Sequence, residues 1–130
     1  MMASSFIIWG LYSIFEGIRE AIFYHYKNHN IKRLFNEHII FTIQRGIVFI
    51  ILILLSKNIL LLISFILCFS FIHNGSYYTM RNILNKEIYK RKWFDQSTTS
   101  TSFWTKYMTP LNRTILFIVS LGVLFFNKSR

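Results

Sequence analysis

Glu16, Arg19 and Glu20 lie within little more than one helical turn, in a stretch (residues 5–27) otherwise apolar enough to cross a bilayer. Carboxylates four residues apart share a helix face, where they can bind a cation, exchange a proton or hold a guanidinium. Arg19 adds a guanidinium three residues from Glu16. A charge at the bilayer centre costs about 3 kcal/mol on insertion scales, so such groups need partners. They are also functional candidates by default.

At about 100° per residue, Ser5, Trp9, Tyr12, Glu16, Arg19, Glu20, Phe23 and Lys27 fall on one face. Ile7, Leu11, Ile14, Phe15, Ile18 and Ile22 fall on the other. The second face suits lipid, and the first must meet protein or water.

The rest of the chain has to supply those partners. Its 130 residues allow one domain, and 53% of them are apolar, with 14 Phe and 7 Tyr. Long uncharged runs argue against a soluble fold, whose core would be too small to bury them. The pattern predicts an all-α polytopic transmembrane bundle of four antiparallel spans. The spans fall at residues 4–26, 38–56, 59–80 and 110–126, with a cytoplasmic interfacial segment over 81–109. The polar turn at 56–58 is short enough to make spans two and three antiparallel neighbours. The helical pattern of span three can persist to Lys92, and Gly75 can kink it. Thr109-Pro110 reads as an N-cap followed by proline at the first helical position.

The net charge of +10 has its first explanation in topology. Leaving out Arg19 and Arg45, ten basic residues flank one side: Lys27, Lys32, Arg33, Arg81, Lys86, Lys90, Arg91, Lys92, Lys106 and Arg113. Three flank the other: Lys57, Lys128 and Arg130. The bias places both termini outside the cytoplasm, as in a multi-pass protein of a bacterial inner membrane, with anionic lipid at the cytoplasmic face. A three-span arrangement, with the first segment flat on the surface, is the competing topology. Nothing resembles a soluble basic module for nucleic acid. The stretch is not a signal peptide, because a basic n-region is missing and charges interrupt the apolar run. Cys68 has no second cysteine to pair with.

At about 1.5 Å rise per residue, Glu20 lies about 9 Å from the cytoplasmic end of span one, and Arg45 about 10 Å from that of span two. His73 falls in the same half of span three. The expected polar layer has Glu16 and Glu20 facing Arg45 and His73, with Arg19 beside Glu16. Two carboxylates balance two guanidiniums, which leaves His73 as the group able to titrate. Tyr12, Gln44, Asn74, Tyr77, Tyr78 and Arg81 extend the layer toward the cytoplasm.

Such a layer most simply holds helices in register or faces a partner, which makes the chain a non-enzymatic subunit or assembly component of a membrane complex. The alternative is a small oligomeric transporter, channel or holin-like pore that passes ions or protons along the charged face. An intramembrane enzyme is a further alternative, although the guanidiniums oppose proton uptake by Glu16 and Glu20 and no residue set names a substrate. No metal ligand set or cofactor is expected: His25, His29 and His38 cluster around a loop, and no span carries a His-x-x-x-His or Glu-x-x-His pair. The hydroxyl-rich run at 97–102 lacks the glycines of a phosphate loop or nucleophile elbow and reads as a linker.

Overall fold

The computed structural model describes residues 2–26, 37–56, 58–85 and 106–128. These form four helices and no strands: α1 (Met2–Tyr26), α2 (Glu37–Ser56), α3 (Ile59–Leu84) and α4 (Pro110–Lys128). Each is slightly longer than its predicted span. Most of the expected interfacial segment, including the run at 97–102, lies outside the described residues.

The ends are set locally. Asn58, extended at φ −131°, caps α3 by accepting from the Leu60 and Leu61 amides. That satisfies donors which the first helical turn leaves open. Thr109 does the same for α4, accepting from Asn112 N at 3.2 Å, with Pro110 at the first helical position. The helix of α3 runs unbroken through Gly75 and closes where Asn85 N donates to Arg81 O.

Contacts pair early residues of α1 with early residues of α3 and late with late, so these two helices run parallel. The Trp9 indole donates to Phe65 O at 2.9 Å, and Gly17 abuts His73. In contrast, α2 opposes α1: Phe41 meets Phe23, and Phe49 meets Trp9. Likewise α4 opposes α3, with Ser64 donating to Ser120 O and Phe71 stacked on Phe117. Helix direction therefore alternates along the chain.

The core centres on Trp9, Leu52, Leu61, Phe65 and Cys68. Small residues set the close approaches. Ser13, Gly17 and Ala21 recur every fourth position of α1, and Ser13 and Ala21 are fully buried. Such a stripe lets helix backbones come together where lipid gives no hydrophobic drive. A Cβ on Gly17 would lie 2.5 Å from His73 O and 3.0 Å from both Ser76 Cβ and Tyr77 N. By comparison α2 stands off, and large side chains (Phe41, Arg45, Phe49 and Leu52) bridge to α1 and α3.

Among the described residues, one helix is long and apolar enough to cross a membrane: α3, with 26 residues. The apolar stretches Ile39–Leu55 and Pro110–Phe126 are shorter. At 1.5 Å per residue a 17-residue stretch reaches about 26 Å, short of the roughly 30 Å hydrocarbon core. In α1 the length is sufficient, but Glu16, Arg19 and Glu20 interrupt the apolar run. Four spans therefore go beyond what helix length and composition establish.

Candidate functional site

The first helix sorts its side chains as an amphipathic element. Trp9, Glu16 and Glu20 are buried, whereas Ile7, Leu11 and Phe15 are at least half exposed. Phe23, expected on the inner face, is exposed at its edge.

The charged layer forms around one guanidinium. Arg45 Nε donates to Glu16 Oε1 at 2.5 Å, and Arg45 Nη2 donates to Glu20 Oε1 at 2.6 Å. One planar donor fork thus spans two carboxylates a helical turn apart, a geometry Arg supports and Lys does not. His73 Nε2 lies 3.1 Å from Glu20 Oε2 and 3.4 Å from Arg45 Nη2. A ring nitrogen cannot donate to one and accept from the other. With Glu20 ionised, Nε2 is the donor, and its approach to Arg45 is a packing contact. The side chains of Glu16, Glu20 and His73 are 1%, 10% and 9% exposed, against 29% for Arg45.

The local sequence explains this arrangement. Phe65, Phe69, His73 and Tyr77 recur every fourth residue, so their rings line one face of α3. The His73 ring stacks between Phe69 and Tyr77, with centroids 5.0 and 6.5 Å away. Arg45 lies over the Phe69 ring, 5.3 Å from its centroid. The site therefore has aromatic walls that fix the imidazole plane.

Arg19 is on the rim. It donates to Gln44 Oε1, lies over Phe41 at 4.6 Å, and is 3.8 Å from Glu16 Oε1. Gln44 and Arg45, adjacent in α2, thus engage three consecutive polar positions of α1. The Tyr12 hydroxyl lies against the Glu16 carboxylate but outside hydrogen-bond geometry, and Glu16 Oε2 is buried with no hydrogen bond. Tyr77 flanks His73, and Arg81 lies 5.9 Å from the Tyr77 ring, one turn farther along. Tyr78 is buried.

Asn74 departs from the expectation. One residue beyond His73, it is turned about 100° around α3 and faces α4. With its oxygen toward Arg113, it accepts from Nη1 and Nη2 at 2.8 and 3.0 Å, while Arg113 Nε donates to Ser70 Oγ at 3.2 Å. This second polar contact, around a buried Arg113, was not anticipated. In the sequence Arg113 reads only as a flanking charge. Gly17 was also missed: small residues carry no charge or strong hydropathy, and the only signal was the four-residue repeat with Ser13 and Ala21.

Of the loop histidines, His25 packs edge-on against Tyr26. His29 and the His38 side chain lie outside the described residues. The donor set that could hold an ion is instead Glu16, Glu20 and His73, whose nearest ligand atoms all lie within 4.8 Å of one another. Two carboxylates and an imidazole suit a divalent transition metal. In the present arrangement the Arg45 guanidinium supplies the positive charge there.

Comparison with protein-family models, curated proteins and solved structures finds no match for this chain. The functional reading therefore rests on the geometry.

Proposed function

We propose that this chain is a small multi-pass membrane protein and a non-enzymatic component of a membrane assembly. In this reading the Glu16–Glu20–Arg45–His73 layer locks α2 against α1 and α3. The observation that carries the reading is the bridging of both carboxylates by one guanidinium. That bridge ties one oxygen of each carboxylate to α2 within the chain, which favours a register lock over an open conduit. The alternating helix directions support four spans. Exposed apolar side chains along α2 and α4, such as Leu54, Leu55, Ile118 and Phe125, suit lipid or the helices of a partner or second copy.

Native-detergent purification with mass analysis tests the assembly. The expected particle is heavier than one chain and is lost on Glu20→Ala. A stable wild-type monomer would count against the reading. Topology is tested in a Cys68→Ser background. Cysteines at Ser4 and Asn58 should label from outside the cytoplasm, and cysteines at Tyr26 and Tyr107 from within.

A second reading, an oligomeric ion or proton pathway, draws on the partial exposure of Arg45 and the stand-off of α2. It requires flux in liposomes that Glu16→Gln and Arg45→Gln abolish. Flux no greater than in protein-free vesicles removes it.

A further inference from the structure

We infer that Glu16, Glu20 and His73 form a binding site for one divalent transition-metal ion, with Arg45 acting as an internal cation that the metal displaces. The three donors come from two helices held rigidly together. The close approach at Gly17 fixes α1 against α3 at the level of His73, so the backbones that carry the three donors are held together without help from α2. Their nearest ligand atoms lie within 4.8 Å of one another. Small side-chain rotations bring such a set around an ion with bonds of about 2.0–2.2 Å. His73 already presents Nε2 to Glu20, and its ring plane is set by Phe69 and Tyr77.

A second observation points to a ligand. The Glu16 side chain is 1% exposed, yet its Oε2 is buried without a hydrogen bond, as is the Tyr12 hydroxyl that lies against the carboxylate. A carboxylate whose second oxygen is unsatisfied has donor capacity that the guanidinium does not use. The mixed oxygen and nitrogen set suits Zn2+, Mn2+, Fe2+ or Co2+ rather than Mg2+. Three protein donors leave a fourth position for solvent.

Arg45 can be displaced because it belongs to the helix that stands off. Its side chain is 29% exposed, and rotation about its long stem withdraws it without moving α1 or α3. Exchange of Arg45 for a metal also removes one polar tether between α2 and α1, leaving the Arg19–Gln44 hydrogen bond. The inference uses the proposed layer but not its role in assembly, so co-purification and metal binding can fail separately.

The test is titration of the detergent-solubilised full chain with Co2+, followed by visible absorption and thermal stability. Wild type should bind one equivalent and develop a d–d band. Arg45→Gln, which removes the competing cation, should bind at least tenfold more tightly and gain thermal stability with added Co2+. Should Arg45→Gln not fold, Arg45→Lys serves, because an ammonium on a flexible stem competes less well; its affinity should also exceed that of wild type. Glu20→Gln and His73→Gln should lose the band. The inference is overturned if neither wild type nor the folded Arg45 variant develops a band at millimolar Co2+. It is equally overturned if binding survives unchanged in Glu20→Gln and His73→Gln, which would place the ion elsewhere.

Discussion

Gly17 and His73 meet backbone to backbone: a Cβ added to Gly17 would lie 2.5 Å from the His73 carbonyl oxygen. This contact sets the spacing between α1 and α3 at the charged layer. Replacing Gly17 by Ala should destabilise the protein although alanine is the better helix former. Helix propensity favours Ala by about 1 kcal/mol, while overpacking costs about 1–3 kcal/mol and the clashing atoms here include backbone. Because backbone cannot give way as a side chain does, we expect the upper end of the difference, a net loss of about 2 kcal/mol, in thermal or denaturant unfolding in detergent. Gly46 and Gly122 meet nothing within 4 Å, so the same substitution there should be neutral or stabilising. Equal effects at all three positions would show that the α1–α3 contact does not set the packing.

The Trp9 indole ties α1 to α3 at the far end of the same seam, donating to Phe65 O and sitting among the rings of Tyr12, Phe49, Phe65 and Phe69. Trp9→Phe keeps a ring but loses the donor, and should cost about 1 kcal/mol. Trp9→Ala removes the ring and should cost about 3–5 kcal/mol. Unfolding curves for the pair separate the hydrogen bond from the packing. A Trp9→Phe loss as large as that of Trp9→Ala would mean the ring itself contributes little.

These two contacts mark how far the sequence can be read. The amphipathic face of α1 was legible because its residues differ sharply in polarity, and rotation of 100° per residue sorts them without reference to the fold. The common depth of Glu20, Arg45 and His73 was legible because helix rise is constant. The partner of Asn74 was not. It differs from His73 by a single step along α3, and only the position of α4 determines which of the two faces the layer. The stand-off of α2 was equally hidden, because inter-helix distance depends on which side chains interleave. Recognition of Glu16, Glu20 and His73 as one donor set needed both the carboxylate spacing, visible in sequence, and the register of α3 against α1, which is set by Gly17.

The contact between α3 and α4 gives a test of amide orientation. Asn74→Asp should hold stability near wild type, because a carboxylate presents oxygen to both Arg113 nitrogens that the Asn74 oxygen now meets. Asn74→Leu should cost about 2 kcal/mol, since it leaves buried guanidinium donors less well satisfied. Unfolding measurements on both variants check this. A stable Leu variant would mean that Asn74 does not anchor α4.

Single changes in the charged layer should be costly and their combination less so. Arg45→Gln leaves Glu16 and Glu20 facing each other without the guanidinium. Breaking a fully buried pair costs about 3–5 kcal/mol, and the partial exposure of Arg45 lowers the expectation to about 2 kcal/mol. Arg45→Lys should recover only part of this, because one ammonium cannot span both carboxylates as the fork does. The triple variant Glu16→Gln/Glu20→Gln/Arg45→Gln removes every formal charge from the bridge while keeping an acceptor for His73. It should be more stable than Arg45→Gln alone, because the dominant cost of the single change is the uncompensated buried charge rather than the loss of an attraction. Unfolding of the four proteins in one detergent, at low and high salt, decides the matter. If the triple variant is no more stable than Arg45→Gln, the layer contributes through its specific hydrogen-bond geometry, and charge balance is secondary.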